Sequence, residues 1–180
     1  MHILGTKVHN TTLAQAIRKA DGFFHDGRQH YIVTPNPEIV LSAARNSKYR
    51  AVLNKASLSI PDGTGLIWAS KKLHGRKHLR ERVAGVDFMI ELIRHLARKH
   101  APWESSNPLT ILLLGGKNGA AHKTAYILKK RFTNLNFYAL GNHDGPHLKF
   151  ILNELIQPTC VFVALGAPKQ ELWINKNLKK

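Results

Sequence analysis

A single carboxylate, Asp62, stands where a short apolar segment runs into a proline and two glycines, in the sequence Ile60-Pro61-Asp62-Gly63-Thr64-Gly65. Open α/β sheets keep their ligands at the carboxyl ends of strands, and glycines let backbone and ligand approach closely. Asp62 is therefore a candidate general base. The alternative is that it caps a helix beginning near Gly63, and the segment taken alone favours capping, because Asp is among the best N-cap residues.

A second polar loop, Thr34-Pro35-Asn36-Pro37-Glu38, also follows an apolar segment. Thr34 and Asn36 would offer a hydroxyl and an amide to a polar ligand at the edge of a sheet. Asn followed by proline is equally an ordinary helix start. The residues alone leave the two interpretations open.

A third loop is rich in glycine, in the sequence Leu114-Gly115-Gly116-Lys117-Asn118-Gly119. A helix N-terminus binds phosphate through its free amide groups, and Gly115 and Gly116 would remove side chains that block it. The loop is neither a Walker A motif nor a full dinucleotide fingerprint, so the pattern is weakly specific. A plain tight turn explains it as well.

Two more loops follow apolar segments. In Gly141-Asn142-His143-Asp144-Gly145, His143 is a candidate acid or base, although the turn-forming residues favour a solvated turn. In Gly166-Ala167-Pro168-Lys169-Gln170-Glu171, Lys169 would meet a phosphate and Gln170 would bond a sugar or a base. The alternative for this loop is a helix start at its proline.

Short apolar segments alternate with longer amphipathic ones, which is typical of a parallel or mixed sheet covered by helices on both faces. The pattern shows no internal repeat. Strands are predicted at residues 31–34, 57–60, 109–114, 136–140 and 159–165, and helices at residues 12–24, 38–45, 65–73, 86–98, 120–131 and 147–156, with another starting near Pro168.

Composition restricts the function classes. The 27 Lys and Arg against 11 Asp and Glu give a formal charge of +16, which favours an anionic partner such as a phosphate-bearing substrate, an anionic membrane or nucleic acid. The single cysteine, Cys160, lies in an apolar run and is expected to be a buried hydrophobe. Scattered histidines and the missing Gly-X-Ser-X-Gly elbow support neither a metal site nor a serine nucleophile. We expect a cytoplasmic chain, because no segment is apolar enough to span a bilayer.

Six segments in order, the five loops above and one more, resemble the WecG/TagA/CpsF glycosyltransferases at family-like spacing over nearly the whole chain. They are Thr34-Pro35-Asn36-Pro37-Glu38, Pro61-Asp62-Gly63-Thr64-Gly65, Glu81-Arg82-Val83-Ala84-Gly85-Val86-Asp87, Leu113-Leu114-Gly115-Gly116, His143-Asp144-Gly145, and Gly166-Ala167-Pro168-Lys169-Gln170-Glu171 with Trp173. Each segment alone is common, but the ordered series is specific.

The resemblance implies an inverting, metal-independent transferase without a cofactor. It would move N-acetylmannosamine or a related N-acetylhexosamine from a UDP donor to undecaprenyl-diphosphate-linked N-acetylglucosamine, for teichoic acid or other cell-surface polysaccharides. The expected location is cytoplasmic, peripheral to the inner face of the membrane. The expected fold is α/β, a Rossmann-like, mostly parallel sheet with helices on both faces, in a single domain over residues 1–180.

The resemblance also implies roles for individual residues. Asp62 would be the catalytic base, with Thr34 as a second catalytic residue. Asn36, Arg82 and Gln170 would line the substrate pocket. Arg82 and Lys169 suit diphosphate oxygens, Arg more so because of its fork geometry. Gly115 and Gly116 complete the substrate-binding set.

One departure from the family pattern lies at the C-terminus, because members normally continue with a further strand and an arginine-bearing tail, whereas this sequence stops at Lys180. The alternative function is therefore an inactive, shortened relative that binds a nucleotide sugar or nucleic acid. Nucleic acid is not the expected partner, because the tryptophans and tyrosines are dispersed and no nucleic-acid motif occurs.

Overall fold

The computed structural model describes residues 1–99, 108–141 and 159–178. The chain divides into two compact units, and each is described by itself. The first unit is formed by Met1–Leu92 and Ala167–Lys180, and the second by Ile93–Gly166.

The described elements alternate between strands and helices along much of the chain. The strands are β1 (His2–Ile3), β2 (Thr6–Lys7), β3 (Ile32–Val33), β4 (Leu58–Ser59), β5 (Thr110–Gly115), β6 (Asn136–Leu140) and β7 (Thr159–Ala164). The helices are α1 (Leu13–Phe23), α2 (Pro37–Arg45), α3 (Ser47–Lys55), α4 (Thr64–His74), α5 (Gly85–Lys99), α6 (Ala120–Arg131) and α7 (Lys169–Asn177), with a 3-10 turn at Gly75–Lys77.

In the first unit, β3 and β4 pair in parallel, so that Ile32 lies opposite Leu58 and Val33 opposite Ser59. Parallel pairing brings the carboxyl ends of both strands to one edge, where the Thr34 and Asp62 loops begin. β1 and β2 form a separate antiparallel hairpin. Its turn residues Leu4 and Gly5 both have positive φ, which is the geometry of a tight two-residue hairpin turn.

Two apolar clusters hold the first unit together. One joins β3 with α2 and α3, and Ile174 and Leu178 from the C-terminal segment pack against it. The other packs α4 against the N-terminal hairpin and α2. Its buried members are Ile3, Val8, Val40, Leu66 and Leu79.

In the second unit, β5 is the central strand of a three-stranded parallel sheet in the order β6, β5, β7. All six β5 residues are buried, as expected for a strand with neighbours on both sides and an unbroken apolar run. The helix α6 presents Ala121, Ala125 and Leu128 as its buried stripe.

The α/β class predicted from the sequence is confirmed, and the described parallel strands form one sheet in each unit. The predicted helix at 120–131 matches α6, and the predicted strand at 136–140 matches β6. Sequence analysis missed α3 and the β1–β2 hairpin. The predicted helix at 147–156 and the loop containing His143 and Asp144 lie outside the described residues.

Candidate functional site

The backbone around Asp62 is held by hydrogen bonds from the neighbouring parallel segment. Ile60 N donates to Val33 O at 2.8 Å, and Asp62 N donates to Pro35 O at 2.9 Å. The pairing between β3 and β4 therefore continues into the two loops. As a result, Asp62 leaves the end of β4 on a fixed backbone.

The carboxylate of Asp62 does not cap α4, so the capping interpretation favoured by the local sequence is wrong. The N-cap of α4 is Gly63, and among the described residues no capping side chain bonds the free amides there. Instead, Asp62 Oδ2 accepts a hydrogen bond of 3.0 Å from Gly85 N, at the first residue of α5. Asp62 thus anchors a different helix, 23 residues further along the chain.

The second carboxylate oxygen of Asp62 has a weaker partner. Arg82 Nη2 lies 3.4 Å from Oδ1, and the two side chains are 50% and 28% exposed respectively. A long ion pair in contact with water contributes little energy and breaks easily. Oδ2 of Asp62 is therefore held in place, whereas Oδ1 can replace Arg82 with another hydrogen-bond partner.

Arg82 sits between two anchored neighbours. Glu81 Oε1 accepts a hydrogen bond of 2.7 Å from Leu13 N at the start of α1. Val83 N donates to Pro61 O at 2.8 Å, and the Val83 side chain is buried. The backbone on both sides of Arg82 is thus held, while its exposed guanidinium can reorient.

Asn36 is a helix cap, which is one of the two roles that its sequence context left open, and its geometry is compatible with the other. Its Oδ1 accepts a hydrogen bond of 2.8 Å from Ile39 N, so Asn36 is the N-cap of α2. Its Nδ2 forms no hydrogen bond within the described residues. Capping therefore orients the side chain and leaves the amide NH2 as a donor.

Asn36 and Asp62 line the same open pocket, which has a volume of about 360 Å³. The rest of its lining comes from the starts of α2 and α4. The full lining is Asn36, Pro37, Glu38, Asp62, Gly63, Thr64 and Gly65.

The glycines beside Asp62 make room for protein rather than for ligand. A Cβ at Gly63 or Gly65 would lie 2.9 Å or 2.8 Å from the Pro37 ring. At Gly85, a Cβ would lie 3.2 Å from Thr34 Oγ1. Thr34 thus packs on the residue that holds the Asp62 carboxylate.

Gln170 is oriented by a buried acid on its own helix, α7. Its Nε2 donates a hydrogen bond of 2.7 Å to Glu171 Oε1. Glu171 is 3% exposed, and its Oε2 accepts from Tyr49 Oη at 3.0 Å. Burial and the neighbouring Glu171 carboxylate raise the pKa of Tyr49, which therefore remains a donor. Because its nitrogen is used, Gln170 has its carbonyl oxygen left for a ligand.

The structure brings four of the predicted site residues together and leaves others apart. Asp62 contacts Arg82, shares a pocket with Asn36, and reaches Thr34 through Gly85. Lys169 and Gln170 belong to the same unit. Among the described residues, no hydrogen bond joins either of them to that group. Glu171 and Tyr49 were missed, because their contact spans 122 positions and leaves no local signal.

Gly115 and Gly116 belong to the second unit, where they form a tight turn against β7. A Cβ at Gly115 would lie 2.7 Å from Ala164 O, and Gly116 N donates to that oxygen at 2.8 Å. The Gly116 amide is therefore already used within the protein. On β7, burial raises the pKa of the Cys160 thiol to about 12, so this thiol is not a reactive nucleophile at neutral pH.

Comparison with known proteins identifies the family. The model of the glycosyl transferase WecG/TagA/CpsF family matches residues 1–180. The chain belongs to the WecG/TagA/CpsF family. Its curated relatives include N-acetylglucosaminyldiphosphoundecaprenol N-acetyl-β-D-mannosaminyltransferases of Staphylococcus aureus strains MRSA252 and NCTC 8325. Each is 33% identical over 178 residues, which cover 96% of this chain and 65% of the relative.

The chain thus spans about two thirds of the length of these transferases. Among the described residues of this WecG/TagA/CpsF member, no three His, Cys, Asp or Glu side chains form a group that could hold a metal ion. None of its described helices combines the length and the hydrophobicity needed to cross a bilayer.

Proposed function

We propose that this protein is a hexosyltransferase. It transfers N-acetylmannosamine, or a related N-acetylhexosamine, from a UDP-sugar to undecaprenyl-diphosphate-linked N-acetylglucosamine, with inversion and without a metal ion or cofactor. The product would serve the synthesis of teichoic acid or another cell-surface polysaccharide. Family membership and the names of the relatives support the class of reaction.

The observation that carries this proposal is the asymmetric environment of Asp62. Its Oδ2 is held by Gly85 N, while the one contact of Oδ1 with the described residues is the long one to Arg82. A general base needs a fixed orientation and one oxygen that can reach the proton it removes. Asp62 meets both needs at the edge of an open pocket.

The proposed reaction is a single displacement. The acceptor hydroxyl oxygen attacks the anomeric carbon as the bond from that carbon to UDP breaks. The hydroxyl proton passes to Asp62 Oδ1 late in this step, when the attacking oxygen has become acidic. The bonding electrons leave with UDP, whose diphosphate gains negative charge. Thr34, packed on Gly85, would help to set the position of the base.

Cationic and polar side chains would bind the donor. The Arg82 guanidinium is exposed, and its ion pair with Asp62 is long and weak, so it can turn toward diphosphate oxygens and bind them through its fork. Lys169, exposed at the start of α7, is a second cation for the leaving group. Asn36 would donate from Nδ2, and Gln170 would accept through its carbonyl oxygen.

In the second unit, Gly115 and Gly116 remain candidate phosphate-binding residues. Because the Gly116 amide bonds Ala164, the free amides of this loop would come from the residues that follow it, and the glycines would supply room. The partners we propose are a UDP-sugar and a lipid-linked acceptor at an anionic membrane surface. The location would be cytoplasmic and peripheral to the inner face of the membrane.

The test is incorporation of radiolabelled N-acetylmannosamine from its UDP donor into a lipid-linked acceptor. It compares the 180-residue chain with a version extended past Lys180. The proposal predicts label in the acceptor with the extended protein and no requirement for added divalent metal. If that protein binds UDP but never transfers the sugar, it is a nucleotide-sugar binding module and the enzyme proposal fails.

A further inference from the structure

The outer face of α4 combines a large exposed aromatic side chain with basic residues. Trp68 is 66% exposed. Lys71 and Lys72 are exposed and follow Trp68 by three and four positions, so they lie beside it one helical turn further on. Tryptophan has an apolar body and a polar N–H, and it is enriched at interfaces and in membrane-interface belts.

The basic character continues beyond the end of α4. Arg76, Lys77 and Arg80 are exposed in the 3-10 turn and the segment after it. No Asp or Glu occurs between Gly63 and Arg80 in the sequence. None of these five Lys and Arg side chains forms an ion pair within the described part of the chain. Their positive charge is therefore not neutralised locally.

The same helix face reaches the Asp62 pocket. Leu66 and Ser70 are buried, so the side of α4 that carries Trp68 is the side opposite the core. Thr64 lies four residues before Trp68, one turn away on the same face, and Thr64 lines the pocket. A partner that covers Trp68 would thus lie beside the mouth of the pocket.

We propose that this face binds the surface of an anionic phospholipid membrane. We call it the α4 surface, and it consists of Trp68, Lys71, Lys72, Arg76, Lys77 and Arg80. Tryptophan favours the boundary between headgroups and acyl chains, and Lys and Arg clusters are attracted to anionic lipids. An amphipathic helix that lies flat in this boundary buries its apolar side chains while its basic residues contact headgroups.

The proposal rests on the proposed function in one respect, because it explains how a lipid-linked acceptor reaches Asp62. With α4 flat on the membrane, the pocket opens at the level of the headgroups. The diphosphate and sugar of the acceptor would then enter from the membrane without leaving it. The exposed Trp68 among basic side chains favours a lipid surface over single-stranded nucleic acid, which is bound by several aromatic side chains that stack on its bases.

Helix α6 provides a matched control. It also exposes an aromatic and an aliphatic residue, Tyr126 at 64% and Ile127 at 62%, next to the exposed Lys129 and Lys130. However, Lys130 Nζ lies 4.3 Å above the Tyr126 ring and covers one of its faces. Substitutions on α6 therefore change the net charge and the exposed aromatic surface in the same way as those on α4. They differ in that the α6 aromatic ring is already covered by a lysine of the same helix.

The test is cosedimentation of the 180-residue chain with vesicles of phosphatidylcholine alone or mixed with phosphatidylglycerol. We expect binding only to the anionic vesicles. The double variant K71E/K72E should lower the partition coefficient by at least about tenfold, and Trp68→Ala by several-fold. The control variants K129E/K130E and Tyr126→Ala should each retain more binding than their α4 counterparts. Quenching of tryptophan fluorescence by brominated lipid should fall in Trp68→Phe.

Several results would overturn the proposal. These are unchanged vesicle binding in the α4 variants, an equal loss in the α6 variants, or retention of an oligonucleotide in preference to anionic vesicles. A transfer assay with a short-chain, water-soluble acceptor separates this proposal from the proposed function. The α4 variants should transfer to that acceptor at the parental rate and lose transfer only to acceptor embedded in vesicles.

Discussion

Two glycine-containing loops follow parallel strands in this protein, one in each unit, and they differ in what they present. The loop after β4 carries Asp62, whose carboxylate holds the start of α5 with one oxygen and is weakly paired through the other. The loop after β5 carries Gly115, which lies against the Ala164 carbonyl of β7. The first loop displays a carboxylate, and the second packs backbone against backbone.

The difference teaches how such motifs should be interpreted. In both loops the glycines are required by close contact with the protein itself, through the Pro37 ring in the first unit and through Ala164 in the second. Glycine after a strand therefore indicates close approach of some group, but not that the group is a ligand. The hydrogen bonds made by the polar side chain are a better guide to chemistry.

The largest effect on stability is expected in the second unit, for Gly115→Ala. The residue has a φ of +95°, and its Cβ would lie 2.7 Å from a backbone oxygen that cannot move freely. We expect the free energy of unfolding to fall by about 2–4 kcal/mol in urea denaturation. Gly119→Ala is the control, because φ there is +72° and no described atom lies within 4 Å of the position its Cβ would take. It should cost only about 1 kcal/mol, and equal losses in the two variants would show that packing on Ala164 is unimportant.

A smaller effect, on rate, is expected for Gly85→Ala in the first unit. Its amide would still bond Asp62, but the new Cβ would lie 3.2 Å from Thr34 Oγ1 and push that side chain aside. We expect the transfer rate to fall roughly tenfold, because small displacements in a site are costly. Val86→Ala, at a neighbouring position that is 69% exposed, should transfer normally. If Gly85→Ala transfers the sugar at the parental rate, the position of Thr34 does not matter for the reaction, and Thr34 is not a site residue.

The Gln170 carbonyl should depend on Glu171 for its orientation. Glu171→Gln replaces the charged acceptor of the Gln170 amide with a neutral one and lets the amide turn over. We expect the KM for the UDP-sugar to rise by about 2–10-fold, with a smaller change in kcat. Leu172→Ala, at a position that is 45% exposed, is the control. A fall in kcat at constant KM would contradict this positioning role.

The smallest effect is expected on the pH dependence of the free energy of unfolding, through His9, which bonds the strand β4 that leads to Asp62. His9 Nδ1 accepts a hydrogen bond from Ser59 N, and burial together with Lys19 and Lys7 lowers the His9 pKa. Because the folded state favours neutral His9, the contribution of His9 to the free energy of unfolding is complete above about pH 6.5 and is lost as the pH falls. His9→Asn keeps an acceptor but does not titrate. Its unfolding free energy should therefore fall less between neutral and mildly acidic pH, and parallel curves would contradict the role of His9.

The sequence predicts the alternating elements well where apolar patterns are long, as in α6 and β6. It misses α3 although a signal exists, because Asn46 can cap that helix and Tyr49, Val52 and Leu53 form its buried face. Charged residues between them obscure the pattern. The hairpin strands β1 and β2 are two residues each, too short for any periodicity.

The position of Asp62 after a strand is visible in the sequence, but its partners are not. Local propensity suggests that Asp62 caps α4. In the structure, its carboxylate instead accepts a hydrogen bond from Gly85 N, which is distant in sequence. Glu171 likewise resembles an ordinary acidic residue in a first helical turn, yet it is buried against Tyr49. Local sequence cannot predict such contacts, because they depend on how distant segments pack.

The central claim is that Asp62 removes the proton from the acceptor hydroxyl, and a single-turnover transfer assay on Asp62→Asn tests it most directly. Asn retains an oxygen that can accept from Gly85 N, but it cannot take up a proton. We predict that the transfer rate of the extended protein falls by roughly 10²–10⁴-fold, while UDP affinity and the free energy of unfolding stay near the parental values. Transfer at the parental rate by Asp62→Asn would contradict the claim.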